Sequence, residues 1–376
     1  MDRTYEISGE GTAFRAVRRE DIKPVFLKVI RGAMERSRSA QRTCREIAHL
    51  HRLAAHPNIA QLRDVHLLDE DVVLVFDWVE VHPVEEEEEE KVSLVAYQLF
   101  AAMAYMHSAR IAHRDVRPSN LLIDARGRLR ICDFGSAIHV SEASARFEDH
   151  HDSTDVGRLA YRPFDVLVGA DYSGGCAGDV WAAGCVIVEL ATQEPLFAGD
   201  SELEVLAMQM GTLGGPPTPV EARELGNVSL VVLPDARPRP SILDILEKTS
   251  EDFAELVSLC LRYTPRRRCS AHAALAHSLF DRLRDDTPTT YHHHPGEQRY
   301  HLQCGDALDK GGNPWHPAAY RAKLQAYLKQ GRTRQRKTTL MAHLSGESPK
   351  KPAPLVAQRQ GHRRQKRQDC GAAGVP

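Results

Sequence analysis

His113-Arg114-Asp115-Val116-Arg117-Pro118-Ser119-Asn120 is followed, thirteen residues after its asparagine, by Asp133-Phe134-Gly135. Three side chains in these stretches have complementary uses. Asp115 can orient a hydroxyl and accept its proton, while Asn120 and Asp133 can hold magnesium against phosphate oxygens. Phosphoryl transfer from Mg-ATP needs those groups and little covalent chemistry from the protein. Each stretch follows a short apolar run, Ile111-Ala112 and Ile131-Cys132. A His-Arg-Asp tripeptide alone arises by chance. The added asparagine and the second aspartate at this distance make the pair specific.

The chain has 376 residues, 42% of them hydrophobic and 27% charged, which fits a soluble globular protein with a large core. One two-lobed domain plus an extension is the natural reading of that length. No stretch approaches the roughly eighteen consecutive apolar residues of a membrane span, and Met1-Asp2-Arg3-Thr4-Tyr5-Glu6 lacks the apolar core of a signal peptide. The eight cysteines, at 44, 132, 176, 185, 260, 269, 304 and 370, include no C-x-x-C pair. Neither a zinc site nor a redox motif is suggested. Buried free thiols in a reducing compartment are expected, placing the chain inside the cell, in cytoplasm and/or nucleus.

The formal net charge of −2 conceals a division. Residues 286–376 carry 16 Lys+Arg against 6 Asp+Glu, a net of +10, which leaves −12 for residues 1–285. An acidic body and a basic tail bear on partners rather than on fold. The tail's clusters, Arg332–Lys337 and Arg363–Arg367, suit acidic partners, nucleic acid or nuclear import as much as plain solubility. The acidic run Glu85–Glu90 reads as a solvated loop or helix start.

Val25–Ile30, broken only by Lys28, and Val72–Phe76 read as strands. Between them, Ile47, Leu50 and Leu53 recur at helical spacing within 40–53. After Asp77 the pattern turns helical. Val92 to His107 places Leu94, Val95, Leu99, Met103 and Met106 on one face, and further helical patterns cover 180–191, 203–210, 252–261 and 271–279. Beyond residue 284 only Pro317–Gln330 is amphipathic, through Tyr320, Leu324, Tyr327 and Leu328. The rest of the tail reads as disordered, with that one marginal helix.

From about Tyr5 to Arg284 the chain resembles the cyclin-dependent kinase branch of the CMGC protein kinases. The resemblance implies an α+β bilobal protein kinase fold, with a small β-rich lobe over about 1–77 and a larger helical lobe over about 80–284. A separate basic tail, 285–376, follows. It also implies ATP and Mg2+ as cofactors. Gly9 and Gly11 match the loop that covers the phosphates, Lys28 the strand lysine that grips them, and Glu46 its helix partner. Phe76 matches the gatekeeper and Val79 the hinge contact to adenine. Asp115 matches the catalytic aspartate, Asn120 and Asp133 the magnesium ligands, and Arg117 the cation beside the γ-phosphate. Leu50, Leu62, His113 and Phe134 fall where the family stacks a spine between the lobes.

The branch is implied by Tyr161-Arg162 before the Ala-Pro-Glu position, by residues 201–248, and by Gly157, which leaves φ > 0 accessible. Proline-directed phosphorylation of protein Ser/Thr-Pro sites follows. Arg45 and Arg114 match two of three arginines that receive an activation-loop phosphate, here on Ser153. The third position is Ile138. Several positions depart from the pattern. The third loop glycine is absent, and Phe26 replaces the alanine that roofs adenine, with Ala16 as partial size compensation in an ungapped alignment. Arg117 stands for lysine, Arg158 for threonine, and Asp165 for the glutamate that pairs with Arg268. Residues 40–46 replace the PSTAIRE-type sequence, so cyclin dependence is unsupported and an activating subunit of unknown identity stays open. These features imply a serine/threonine protein kinase. The alternative is a pseudokinase or scaffold whose adenine pocket is filled by Phe26.

Overall fold

Val25, Leu27 and Val29 alternate with Phe26, Lys28 and Ile30, so a strand through them shows two distinct faces. The computed structural model describes residues 5–8, 12–83, 89–140, 156–170, 175–226, 239–284 and 316–330, and it shows how both faces are used. Strands β1 (Tyr5–Ser8), β2 (Ala13–Arg18) and β3 (Lys23–Ile30) precede helix α1 (Ser37–Arg52) and strands β4 (Leu62–Leu68) and β5 (Asp71–Asp77). They form one antiparallel sheet in the order β1-β2-β3-β5-β4. On one face Val25, Leu27 and Val29 join Phe14, Ala16, Val73 and Val75 in a core of their own. The opposite face carries Phe26, Lys28 and Ile30. There Phe26 and Ile30 pack, with Leu74 and Phe76, into the main core that includes Ile47 and Leu50 of α1.

The larger lobe begins with α2 (Glu89–Ser108), followed by the short strands β6 (Ile111–Ala112), β7 (Leu121–Ile123), β8 (Leu129–Ile131) and β9 (Ile138–His139). Then come α3 (Val156–Leu159), α4 (Phe164–Leu167), α5 (Cys176–Thr192), α6 (Glu202–Thr212), α7 (Pro219–Glu224), α8 (Ile242–Ile245), α9 (Glu251–Cys260), α10 (Ala271–Leu275), α11 (Asp281–Arg284) and α12 (Pro317–Gln330). β6 pairs with β9 and β7 with β8, so these two small ladders frame the loops carrying Asp115 and Asp133. A small sheet-based lobe and a larger helical one make up the expected α+β bilobal fold. The turn after α1 is stitched to the larger lobe, since Asn58 Nδ2 donates to the Leu129 carbonyl at 2.8 Å. Of the acidic run, Glu89 and Glu90 start α2, and Glu89 accepts from the Ser250 amide at 2.9 Å ahead of α9. Residues 84–88 lie outside the described residues.

A buried ion pair braces the helical lobe. Arg268 meets Asp165 of α4, and neither side chain is exposed to solvent. Arg268 also donates to the carbonyls of Arg262 at 2.8 Å and Ala177 at 3.1 Å, with its guanidinium 5.0 Å from the Trp181 ring centre. A buried charge without such partners would be strongly destabilising. Asp165 thus reaches Arg268 despite being one methylene shorter than the glutamate it replaces.

The sequence sets residues beyond 284 apart from the domain, and for α12 the structure differs. The helix forms over the expected residues and packs against α1 in the small lobe. Tyr320, Leu324 and Leu328 are fully buried. The Tyr327 and His51 rings meet edge-on with centres 5.3 Å apart. Arg321 reaches Glu70 at 2.8 Å and the Asp69 carbonyl at the tip of the β4–β5 hairpin. A fourteen-residue helix is marginal alone. Its apolar stripe finds a partner across the fold, which spacing along the sequence could not reveal.

Candidate active site

Asp179, in the first turn of α5, organises the loop after β6. Its Oδ2 accepts from the His113 amide at 2.8 Å and its Oδ1 from the Arg114 amide at 2.7 Å. Arg114 has φ = 65°, a left-handed backbone unfavourable for a residue with a side chain. The Asp179 carboxylate holds that conformation in place. His107 lies 2.9 Å from the same carboxylate. Burial is the largest influence and disfavours its charged form, yet Asp179 and Cys176 together outweigh it and its pKa is pushed up to about 9. Within the loop, Asn120 Nδ2 donates to the Asp115 carbonyl at 2.7 Å. The amide of Cys132 donates to the Asn120 carbonyl at 2.9 Å, and His113 Nε2 to the Cys132 carbonyl at 3.1 Å. Two stretches distant in sequence are thereby stitched together.

Lys28 closes the site from above. Its Nζ lies 2.7 Å from Glu46 Oε1 on α1 and 2.9 Å from Asp133 Oδ1. Burial works against the ammonium, but the two carboxylates hold its pKa above the usual lysine range. Burial also opposes ionisation of Asp133, and Lys28 outweighs it to keep that carboxyl far below its ordinary value. For Glu46 burial wins, and its pKa rises despite Lys28. Asp133 itself has φ = 63°. A Cβ on Gly135 would sit 2.8 Å from Arg42 Nε, so glycine leaves room for the Arg42 side chain of α1 against this turn. Leu50, Leu62, His113 and Phe134 are all buried, and the His113 and Phe134 rings meet edge-on at 4.7 Å.

The family model described as Protein kinase domain matches residues 8–280. The chain belongs to the protein kinase family. It is 31% identical over 326 residues to "Extracellular signal-regulated kinase 2" of Dictyostelium discoideum, covering 84% of this chain and 85% of that protein. It is 33% identical over 289 residues to "Cell division control protein 2 homolog 3" of Trypanosoma brucei brucei, covering 73% and 90%. These relatives fit the resemblance drawn from its motifs. The chain is a divergent kinase of the CMGC type and a protein serine/threonine kinase.

In this kinase the nucleotide side of the site departs most from the family pattern. Phe26 and Phe76 are paired across β3 and β5, and their rings lie 6.3 Å apart on the face that carries Lys28. Phe26 therefore shares the Lys28 face of the sheet, directly across from Phe76. Ala16 gives it no relief. It pairs with Val25 on the opposite face and is buried in the second core. The strand period of two assigns the place across from Phe26 to Arg15, whose guanidinium lies 5.1 Å from the Trp78 ring centre. An alignment shifted by one residue swaps the two faces of a strand, and the expectation for Ala16 carried that shift. Val79 follows β5 half-buried, and Asp77 beside it pairs with Arg63 at 2.6 Å.

On the substrate side, Arg158 of α3 grips the Asp115 carboxylate with two hydrogen bonds, 3.0 Å from Oδ1 and 2.6 Å from Oδ2. Arg117 approaches the same carboxylate, its Nε 3.4 Å from Oδ1. Arg162 pairs with Glu202 of α6 at 2.7 Å. Gly157 lies inside α3. Gly9, Gly11 and Ser153 lie outside the described residues. Sequence reading marked Arg158 as a substitution but missed its grip on Asp115. It took Arg42 only as part of the 40–46 segment that replaces the PSTAIRE-type sequence, and missed its contact with the Gly135 turn.

The donor set fits magnesium. Asn120 spends its amide nitrogen on the Asp115 carbonyl, which leaves its amide oxygen as the atom that could meet a metal. With the Asp133 carboxylate this makes a pair of hard oxygen donors, the kind that Mg2+ prefers when phosphates complete its shell. No helix among the described residues is long and apolar enough to cross a membrane.

Proposed function

We propose that this kinase transfers the γ-phosphate of Mg-ATP to serine or threonine followed by proline in protein substrates. The observation that carries this reading is the assembled Lys28–Glu46–Asp133 network, with Lys28 bonded to both carboxylates at 2.7 and 2.9 Å. Magnesium, when bound with ATP, supplies charge neutralisation at the phosphates. Asn120 and Asp133 hold the metal. Lys28, fixed by Glu46, holds the phosphate chain. The hinge around Phe76 and Val79 receives adenine. Asp115 orients the substrate hydroxyl and takes its proton, with Arg117 as the neighbouring cation. Such catalysis is mostly positioning and electrostatic stabilisation, and the left-handed backbone at Arg114 and Asp133 supports the reading that these loops are held for a purpose.

Residues 1–284 act as the catalytic domain in this reading, and Ser153 is the activation-loop acceptor whose phosphate pairs with Arg45 and Arg114. The test is transfer of labelled phosphate from ATP to a Ser-Pro peptide, with an Ala-for-Pro peptide as specificity control. Transfer that depends on magnesium and is lost in Asp115→Asn supports the proposal. A folded chain with no transfer and no thermal stabilisation by Mg-ATP would leave the scaffold reading in its place.

A further inference from the structure

The carboxylate that must receive a substrate hydroxyl is already occupied. Arg158 presents its planar fork edge-on to Asp115, one nitrogen on each oxygen, at 3.0 and 2.6 Å. Parallel charge-assisted bonds of this kind are the strongest carboxylate contacts a side chain makes. Burial sharpens them, since the Asp115 side chain is 4% exposed and that of Arg158 only 21%. Arg117 takes up further space at Oδ1. A catalytic base must come within about 2.6–3.2 Å of the hydroxyl it serves, and that approach leads to the edge the fork covers. Threonine, which the resemblance implies at this position, has one hydroxyl donor to offer a carboxylate. Arginine covers both oxygens.

We infer that Arg158 is an autoinhibitory latch on Asp115: the substrate hydroxyl gains the catalytic carboxylate only when the guanidinium gives it up. The inference rests on the kinase reading above. Arg158 sits on α3, a helix of only four residues, so a single turn carries the latch. Arg114, Asp115, Arg158 and Arg162 line one cleft, so the fork and the carboxylate it covers face the same space. The latch also gives a physical reason for the substitution at this position. The carboxylate stays shielded, with peptide bound or not, for as long as the guanidinium holds it.

The test compares wild type with Arg158→Thr, Arg158→Lys and Asp115→Asn, all as the full chain. A hydrogen bond to a charged group contributes enough to shift an equilibrium by about ten- to a hundredfold. At saturating Mg-ATP and Ser-Pro peptide, Arg158→Thr is expected to raise kcat by that factor with the KM for ATP unchanged. Arg158→Lys, a point charge without the fork, gives a smaller rise. Hydrogen exchange across residues 156–162 quickens in Arg158→Thr and in Asp115→Asn, whatever the activity. Equal or lower kcat in Arg158→Thr, in a preparation where Asp115→Asn abolishes transfer, overturns the latch and spares the kinase reading. Unchanged exchange in both variants overturns it as well. Absence of transfer from every chain overturns the kinase reading, and the latch with it.

Discussion

Leu324→Ala should detach α12 from the small lobe. Leu324 is fully buried in the interface with α1, one helical turn from Tyr320 on one side and from Leu328 on the other. A buried leucine truncated to alanine costs about 2–5 kcal/mol, through lost transfer energy and the cavity left behind. Nothing within a fourteen-residue helix offsets that loss, because such a helix is marginal in isolation. The docked-to-undocked ratio should therefore fall roughly thirtyfold to several thousandfold. Hydrogen exchange resolved by peptide is the suitable assay. Amides across residues 317–330 should exchange faster by a similar factor, up to the limit of an open chain. Those of α1 should quicken less, since α1 keeps its contacts with the main core through Ile47 and Leu50. Leu324→Met, close in volume, should stay within about 1.5 kcal/mol of wild type. Lys329→Ala, on the exposed side, should change stability by no more than about 0.5 kcal/mol. Wild-type protection in Leu324→Ala, or equal loss in Lys329→Ala, would refute the reasoning, for then the buried stripe would not be what holds the helix.

Phe26→Ala should tighten nucleotide binding about five- to a hundredfold, as relief of overpacking of about 1–3 kcal/mol implies; titration with a fluorescent ATP analogue that shows no gain would rule out a ring in the adenine site. His107 makes stability fall as pH rises. Its folded pKa, about 9, lies above the ordinary 6.5, so its contribution is full below about 6.5 and gone above about 9. The loss across that window is about 3 kcal/mol, and urea unfolding at both ends should show it in wild type and not in His107→Asn. Identical pH slopes in the two chains would contradict the Asp179 pairing. Arg268→Ala strands the Asp165 charge in the core at about 3–5 kcal/mol, which calorimetry should register as a fall in melting temperature of roughly 6–20 °C. A drop of only a degree or two would mean that Asp165 is not charged there.

What the sequence made legible follows from the reach of its patterns. β3 and β5 were readable because apolar runs with β-branched residues describe strands locally. α1 and α2 were readable because burial recurs at helical spacing along them. Lys28, Glu46, Asp115, Asn120 and Asp133 were readable through motifs, since phosphoryl transfer demands those groups at those spacings. The contacts that distinguish this chain were not. Arg158 meets Asp115 across 43 residues, and Arg42 leans on Gly135 from another element. Such pairings depend on three-dimensional closure, which no local period records. The face taken by Ala16 failed for a different reason: register is set by pairing, and one residue of slip reverses it.

The union of α1 with α12 also bears on how the polypeptide is made. The small lobe is synthesised first, yet the helix that covers the outer side of α1 is encoded some 270 residues later. At roughly 5–20 residues per second, the nascent small lobe waits about fifteen seconds to a minute with an apolar strip uncovered. Through that interval it is a natural client for chaperones. Truncation before residue 317, or ribosome stalling within the tail, would lengthen that exposure into a permanent state. Aggregation of such shortened chains during expression is therefore a hazard that belongs to this topology.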